Sequence, residues 1–217
     1  MDYTFWSPIK LSVTIAITAG CIVLLFGLIT GKWMSNRHFR GKLFLETLLM
    51  LPLVLPPSVV GFLLIVLFGR NSFVGAFFEK LTGQPIMFTW WAAVIASTVV
   101  AFPLMYQSVK TGFQSVNPEI EDAARTDGAS EFNIFLFISI PLSIKAIVTG
   151  FILSFTRALG EFGATLMFAG NIPGKTQTLP TAIYVAIDSG NMGLAWLWVL
   201  ITIFISFLML ASTYLIK

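Results

Sequence analysis

Charge is what this sequence lacks. Only 11% of its 217 residues are Asp, Glu, Lys or Arg, against 57% hydrophobic, and the mean hydropathy is +0.89. A soluble domain of this length carries about a quarter charged residues, so a water-soluble globule is excluded. Cysteine occurs once, at Cys21, which excludes an intrachain disulfide. Its place in an apolar run predicts a small buried residue. His38 is the only histidine and stands in a basic loop without partners, so no metal site is expected. There is no GxxxxGK[ST] phosphate loop, so ATP hydrolysis by this chain is not expected. HExxH, paired cysteines and a Gly-x-Ser-x-Gly elbow are also missing, which argues against a metalloprotease or a serine hydrolase. No cleavable signal is expected, since the first apolar run is too long and lacks a basic leader.

What is present is long apolar runs. About 20 such residues cross a bilayer as a helix. Five runs qualify: Ile9 to Gly31, Leu48 to Phe68, Thr89 to Val109, Leu142 to about Leu166, and Leu194 to Ile216. The predicted fold is all-α, a polytopic transmembrane bundle of five spans filling 1–217 as one domain. A sixth crossing would require Leu166 to Ala186 to re-enter the membrane, against which Pro173, Gly174, Lys175 and Pro180 argue. Lys32, Arg37, Arg40 and Lys42 make the first loop basic and, by the positive-inside rule, cytoplasmic. The N-terminus is then outside and the C-terminus inside. All six tryptophans fall near span ends, as interfacial anchors do. The basic residues flank apolar runs rather than forming a patch, so nucleic acid is not an expected partner.

One polar stretch interrupts this pattern. Asn117 to Pro141, within a loop of about 111–141, holds five of the ten acidic residues. Asn117-Pro118-Glu119 is a good helix start: Asn caps, Pro suits the first position, and Glu meets the positive dipole end. Ala123 and Ala124 leave a smooth face for another surface. Gly128 permits a turn, and Ser130-Glu131 begins a second short helix. Lipid-surface helices usually carry a basic polar face. This one is acidic, so protein docking is the better account.

The spacing Asp122-Ala123-Ala124, three residues, Gly128, nine residues, Ile138-Ser139-Ile140-Pro141 resembles the docking loop of bacterial ABC importer permeases, with Asp122 and Ile140 as conservative departures. The stretches Leu51 to Pro57, Arg157 to Thr165, and Asn171 to Pro180 look like the molybdate branch, over nearly the whole chain. Relatives carrying tungstate, sulfate or thiosulfate are similar, which leaves the anion the weaker assignment. The resemblance implies a type I ABC importer permease that moves an oxyanion, molybdate foremost, by alternating access across the bacterial cytoplasmic membrane. It implies a loop, with Glu121, Asp122, Ala123, Ala124, Gly128, Ile138 and Pro141, that docks on a separate ATPase. It also implies two ATPase subunits that bind ATP and Mg, an extracytoplasmic substrate-binding protein, and no cofactor in this chain. Five spans rarely enclose a path alone, so a second copy is expected, with the path on the two-fold axis.

Candidate path or gate residues follow from physical position. Arg157 and Glu161, spaced i, i+4, lie deep in the fourth run and must face protein or water. They read as an ion pair fixing helix packing, or Arg157 lends positive potential to an anion path. Pro56 and Pro57 either kink the second run or break it, exposing Ser58 to the path. Ser154 either lines a gate or bonds within the bundle. Two readings from other classes remain at this level: an ion-gradient carrier, weakened by the missing internal repeat, and a membrane-embedded enzyme using Arg157 and Glu161.

Overall fold

The computed structural model describes residues 3–35 and 37–215, all helix and loop with no strand among them. Three helices are long and apolar enough to cross a bilayer: α1 (Tyr3–Ser35), α5 (Trp90–Gln114) and α12 (Met192–Leu215). Ile216, the expected end of the last span, lies outside the described residues. Two further spans are bent pairs, which gives up to five.

The second run is not one helix. It forms α2 (Lys42–Val54) and α3 (Pro57–Phe68), bent 116° apart at Leu55–Pro56. Pro56 and Pro57 are the cause: neither can donate into a continuing helix, and Leu55 before Pro56 is driven to an extended conformation, φ −67° and ψ 141°. Pro57 takes the first position of α3, where a missing donor costs nothing. Pro52, by contrast, stays inside α2.

The fourth run is interrupted as well. After the polar loop come α6 (Pro118–Thr126), α7 (Glu131–Ile134), a π-helical turn (Phe135–Ser139) and α8 (Ile140–Leu142). Pro141 sits within α8, and the chain turns by 74° at Ser143 into α9 (Ile144–Leu159). Gly160 ends α9, and α10 (Gly163–Ala169) starts after a short break. A single helix from Leu142 to Leu166 is therefore replaced by two. The segment once weighed for re-entry is α10, a loop, and α11 (Leu179–Asp188), whose Leu179, Thr181, Ala182 and Ala186 are buried. α4 (Phe73–Thr82) lies between α3 and α5.

α5 is the axis of packing, with α1 and α9 against it, and α10 wedged between α3 and α5. Its apolar window is 61% buried, whereas that of α12 is 11% buried, so α12 stands at the periphery of the chain. α1 lies close on α5 because Gly27 and Gly31 give it a flat face. A Cβ at either would come within 2.6 Å of Met105 or Val109. Cys21 is exposed on the outer face of α1 with Ile17, Leu25 and Phe26, not buried as expected. Hydrocarbon does for it what a protein core would. Trp198 is also not an interfacial anchor. It is buried, and its Nε1 donates to Phe5 O at 3.1 Å, tying α12 to α1.

Candidate functional site

The polar loop folds as its composition dictates. Asn117 Oδ1 accepts from Glu119 N at 3.0 Å and caps α6, with Pro118 in the first turn. Gly128 N donates to Arg125 O, and Ala129 N to Ala124 O, both at 3.0 Å. This is a Schellman closure, and it requires the left-handed φ of +91° that Gly128 adopts. Ser130 Oγ then accepts from Asn133 N and caps α7.

The two faces of α6 differ. Glu121 points inward and is buried. Asp122 and Ala123 are exposed and Ala124 is half-buried. Ile120, Phe132, Leu136 and Phe137 of the same loop are exposed as well. Ile138 is half-buried, and Pro141 is exposed at the start of the turn. Of the two carboxylates the sequence left open, Asp122 is the one available to a partner.

Glu121 is held by residues that sequence reading did not select. Lys32 Nζ, in the last turn of α1, lies 2.5 Å from Glu121 Oε1 and donates to Ser139 Oγ at 2.9 Å. Ser139 Oγ donates to Glu121 Oε1 at 2.7 Å, and the Arg125 guanidinium lies 3.5 Å from Oε2. Burial alone would push the Glu121 carboxyl up. The hydrogen bonds from Lys32 and Ser139, with the charges of Lys32 and Arg125, outweigh it and hold Glu121 below its ordinary value. Arg125 also grips Asp122 at 2.6 Å and Glu131 in a two-pronged pair at 2.7 and 3.1 Å, joining α6 to α7. Ser139 ends the π turn and is its buried residue.

A second cluster forms where the broken helices meet. Arg157 and Glu161 pair at 2.7 Å, as their spacing predicts. Glu161, however, stands in the break after α9 and not on that helix. Its Oε1 accepts from Ala164 N at 2.8 Å and caps α10. Pro56, Pro57 and Ser58 are exposed at the start of α3. A Cβ on Gly163 would come within 2.8 Å of Pro57 Cβ, so the first turns of α3 and α10 touch. Two helix N-termini thus converge beside one Arg–Glu pair. Ser154 takes no part: it is buried and donates to Ala101 O at 3.3 Å, a bond between α9 and α5. Also unread from sequence is Glu46 on α2, bonded to Lys110 at 2.6 Å on α5.

The long apolar helices and the two bent pairs define a multi-pass membrane protein. The family model described as binding-protein-dependent transport system inner membrane component matches residues 3–217, and the chain belongs to that family. Within it, the chain is 62% identical over 206 residues to the putative molybdenum transport system permease protein YvgM of Bacillus subtilis (strain 168), covering 95% of this chain and 91% of that one. It is 40% identical over 197 residues to the molybdenum transport system permease protein ModB of Escherichia coli (strain K12), covering 90% and 86%. The fold matches a chain of a bacterial alginate ABC transporter, crystallised with a pentasaccharide-bound periplasmic protein. The TM-score is 0.76 at 14% identity, covering 98% of this chain and 78% of that one.

Proposed function

We propose that this chain is the membrane permease of an ATP-driven importer for a tetrahedral oxyanion, with molybdate as the cargo. The observation that carries the reading is the 62% identity to a putative molybdenum permease over nearly all of both chains. Two copies form the path. Two separate ATPase subunits bind ATP and Mg, and an extracytoplasmic binding protein delivers the anion at the bacterial cytoplasmic membrane. The N-terminus lies outside, and the loop 111–141 and the C-terminus lie inside. The whole of 1–217 acts as one permease domain.

The exposed Asp122, Ala123 and Ala124 of α6, with Gly128 setting its end, dock on the ATPase. Ile138 and Pro141 carry the loop back to the bundle. The junction of α3 and α10 lies on the path. There the start of α3 presents Ser58 and its positive helix end to a passing anion, while the start of α10 is already capped by Glu161. Glu161 neutralises much of the Arg157 charge, so the junction attracts an anion without trapping it, which suits a site that must release its cargo. Closure of the ATPases on ATP moves the docking loops and opens the path outward.

Reconstituted with its partners, the complex is expected to take up radiolabelled molybdate, with tungstate competing and sulfate or thiosulfate competing less. Sulfate uptake that exceeds molybdate uptake would transfer the assignment to the sulfate branch. Gly128→Glu tests the docking role. Space beside Gly128 is open, so the variant inserts and folds, while the strained turn and added charge spoil the docking face and uptake is lost. Normal uptake by Gly128→Glu would refute that role.

A further inference from the structure

Lys32 and Ser139 take no part in the docking face, yet they meet it from behind. Lys32 belongs to α1, 89 residues from Glu121 in the chain. Its ammonium touches the Glu121 carboxylate on α6 and the Ser139 hydroxyl of the π turn, and it lies 5.4 Å from the centroid of the Phe113 ring on α5. Four elements therefore meet at one charge. Among the described residues, Lys32–Glu121 is the only hydrogen bond or ion pair that joins α6 to α1. Arg125, by contrast, ties α6 only to its own loop.

A buried ion pair is a poor source of stability, because desolvation offsets much of the attraction. Its best-attested use is to fix register between elements. Here the register is that of α6 against α1. The inside of α6 has few apolar side chains to grip the bundle with, since Glu121 is its one buried residue. α1, in turn, packs along both α5 and α9.

We infer that Lys32 is a positioning residue that transmits displacement of the docking helix into α1, so that ATP turnover drives the spans. This rests on the docking role proposed above. Without Lys32, α6 can follow the ATPase while α1 stays behind, and hydrolysis proceeds without transport. Ser139 serves the same tie by holding the carboxylate toward the ammonium.

The test uses the full complex in proteoliposomes, with ATP turnover and oxyanion uptake measured on the same vesicles. Lys32→Met keeps the apolar stem and removes the charge. It is expected to keep at least about half of the ATP turnover while uptake per ATP falls about tenfold. Lys32→Arg keeps the tie and near-normal uptake per ATP. The exchange Lys32→Glu with Glu121→Lys restores uptake per ATP to within about threefold of the parent. A pair that only supports folding gives different results. Uptake and turnover would fall in parallel, or less complex would assemble with uptake per ATP unchanged, and either result overturns the inference. So does an exchange variant no better than its single parents.

A second readout does not depend on cargo. Spin labels at Ile29→Cys and Thr126→Cys in a Cys21→Ala background, in complexes diluted so that only one copy is labelled, are expected to keep one within-copy separation through the ATP cycle in the parent and to gain a second, longer one in Lys32→Met. A separation that changes in the parent overturns the inference. A parent that hydrolyses ATP but moves neither molybdate nor sulfate overturns only the cargo assigned above, and the label distances still test the tie.

Discussion

Two buried carboxylates, Glu121 and Glu161, share the same chemistry and differ in what they join. Each has a cation within 2.7 Å and one further short hydrogen bond. Glu161 finds everything locally: Arg157 four residues before it and the Ala164 amide three residues after it. Its cluster moves as a unit with the α9–α10 corner. Glu121 takes Lys32 from α1 and Ser139 from the π turn, so its cluster exists only while separate elements stay together. The first fixes a corner, and the second fixes a joint between parts.

The largest effect expected from breaking this comparison is at the corner. Glu161→Ala leaves Arg157 without its partner inside the bundle and the Ala164 amide without an acceptor. Because the Arg157 side chain is 31% exposed, the cost falls toward the low end of the about 3–5 kcal/mol lost when a buried pair is broken. Thermal unfolding in detergent should show a much lower midpoint, and the yield of folded protein should fall. Glu161→Gln keeps the cap and loses only the charge, so its loss should be smaller. Combined with Arg157→Met it should recover much of it. If that double variant is stable yet imports poorly, Arg157 acts on the anion as well as on packing. Normal import would make the pair purely structural.

A smaller effect is expected at the joint. Ser139→Ala removes the hydroxyl that accepts from Lys32 and donates to Glu121, at a cost of about 1.5–3 kcal/mol because Lys32 and Glu121 keep their direct pair. It should loosen α6 without unfolding the bundle, which hydrogen exchange of the α6 amides would show as faster exchange confined to that loop.

Acidity sharpens the same contrast. The Glu121 carboxyl is held below its ordinary value, so the stability it adds is fully present above the usual carboxylate range of about 4.3. That stability fades as the pH falls below this range and through the depressed value. Protection factors of the α6 amides, with exchange rates corrected for the intrinsic slowing in acid, should therefore fall on acidification in the parent and much less in Glu121→Gln. The smallest effect belongs to Trp198→Phe, which keeps the ring beside Phe5 and loses the Nε1 bond to Phe5 O. It should cost about 1 kcal/mol and leave uptake unchanged.

Local features were legible in the sequence and distant ones were not. Arg157 and Glu161 announce their pair by spacing, since four residues bring side chains together on a helix or just past its end. Asn117-Pro118 and Gly128 announce the ends of α6 by their chemistry. The break at Pro56 was visible as a choice between a kink and an interruption, and two adjacent prolines with an extended Leu55 decide it. Hydropathy smoothed over the turn at Ser143 and the gap at Gly160–Phe162, because both lie inside one apolar run. Lys32 counted only as one more positive charge in a basic loop. α1 continues to Ser35, which places that ammonium inside the protein. Nothing in the order of residues states that Lys32 will meet Glu121, because packing of α1 on α5 decides it. Cys21 and Trp198 were misjudged for a related reason: hydropathy does not say which side of a span faces lipid.

The seam between α1 and α5 is almost free of slack. Gly27 and Gly31 let the side chains of Met105 and Val109 sit directly against the bare backbone of α1. Such a contact behaves like a keyed shaft rather than a greased bearing. If Lys32 couples the docking helix to α1 as inferred, a tug at the tail of α1 reaches the central helix through this seam, and the lever begins one lysine from the loop.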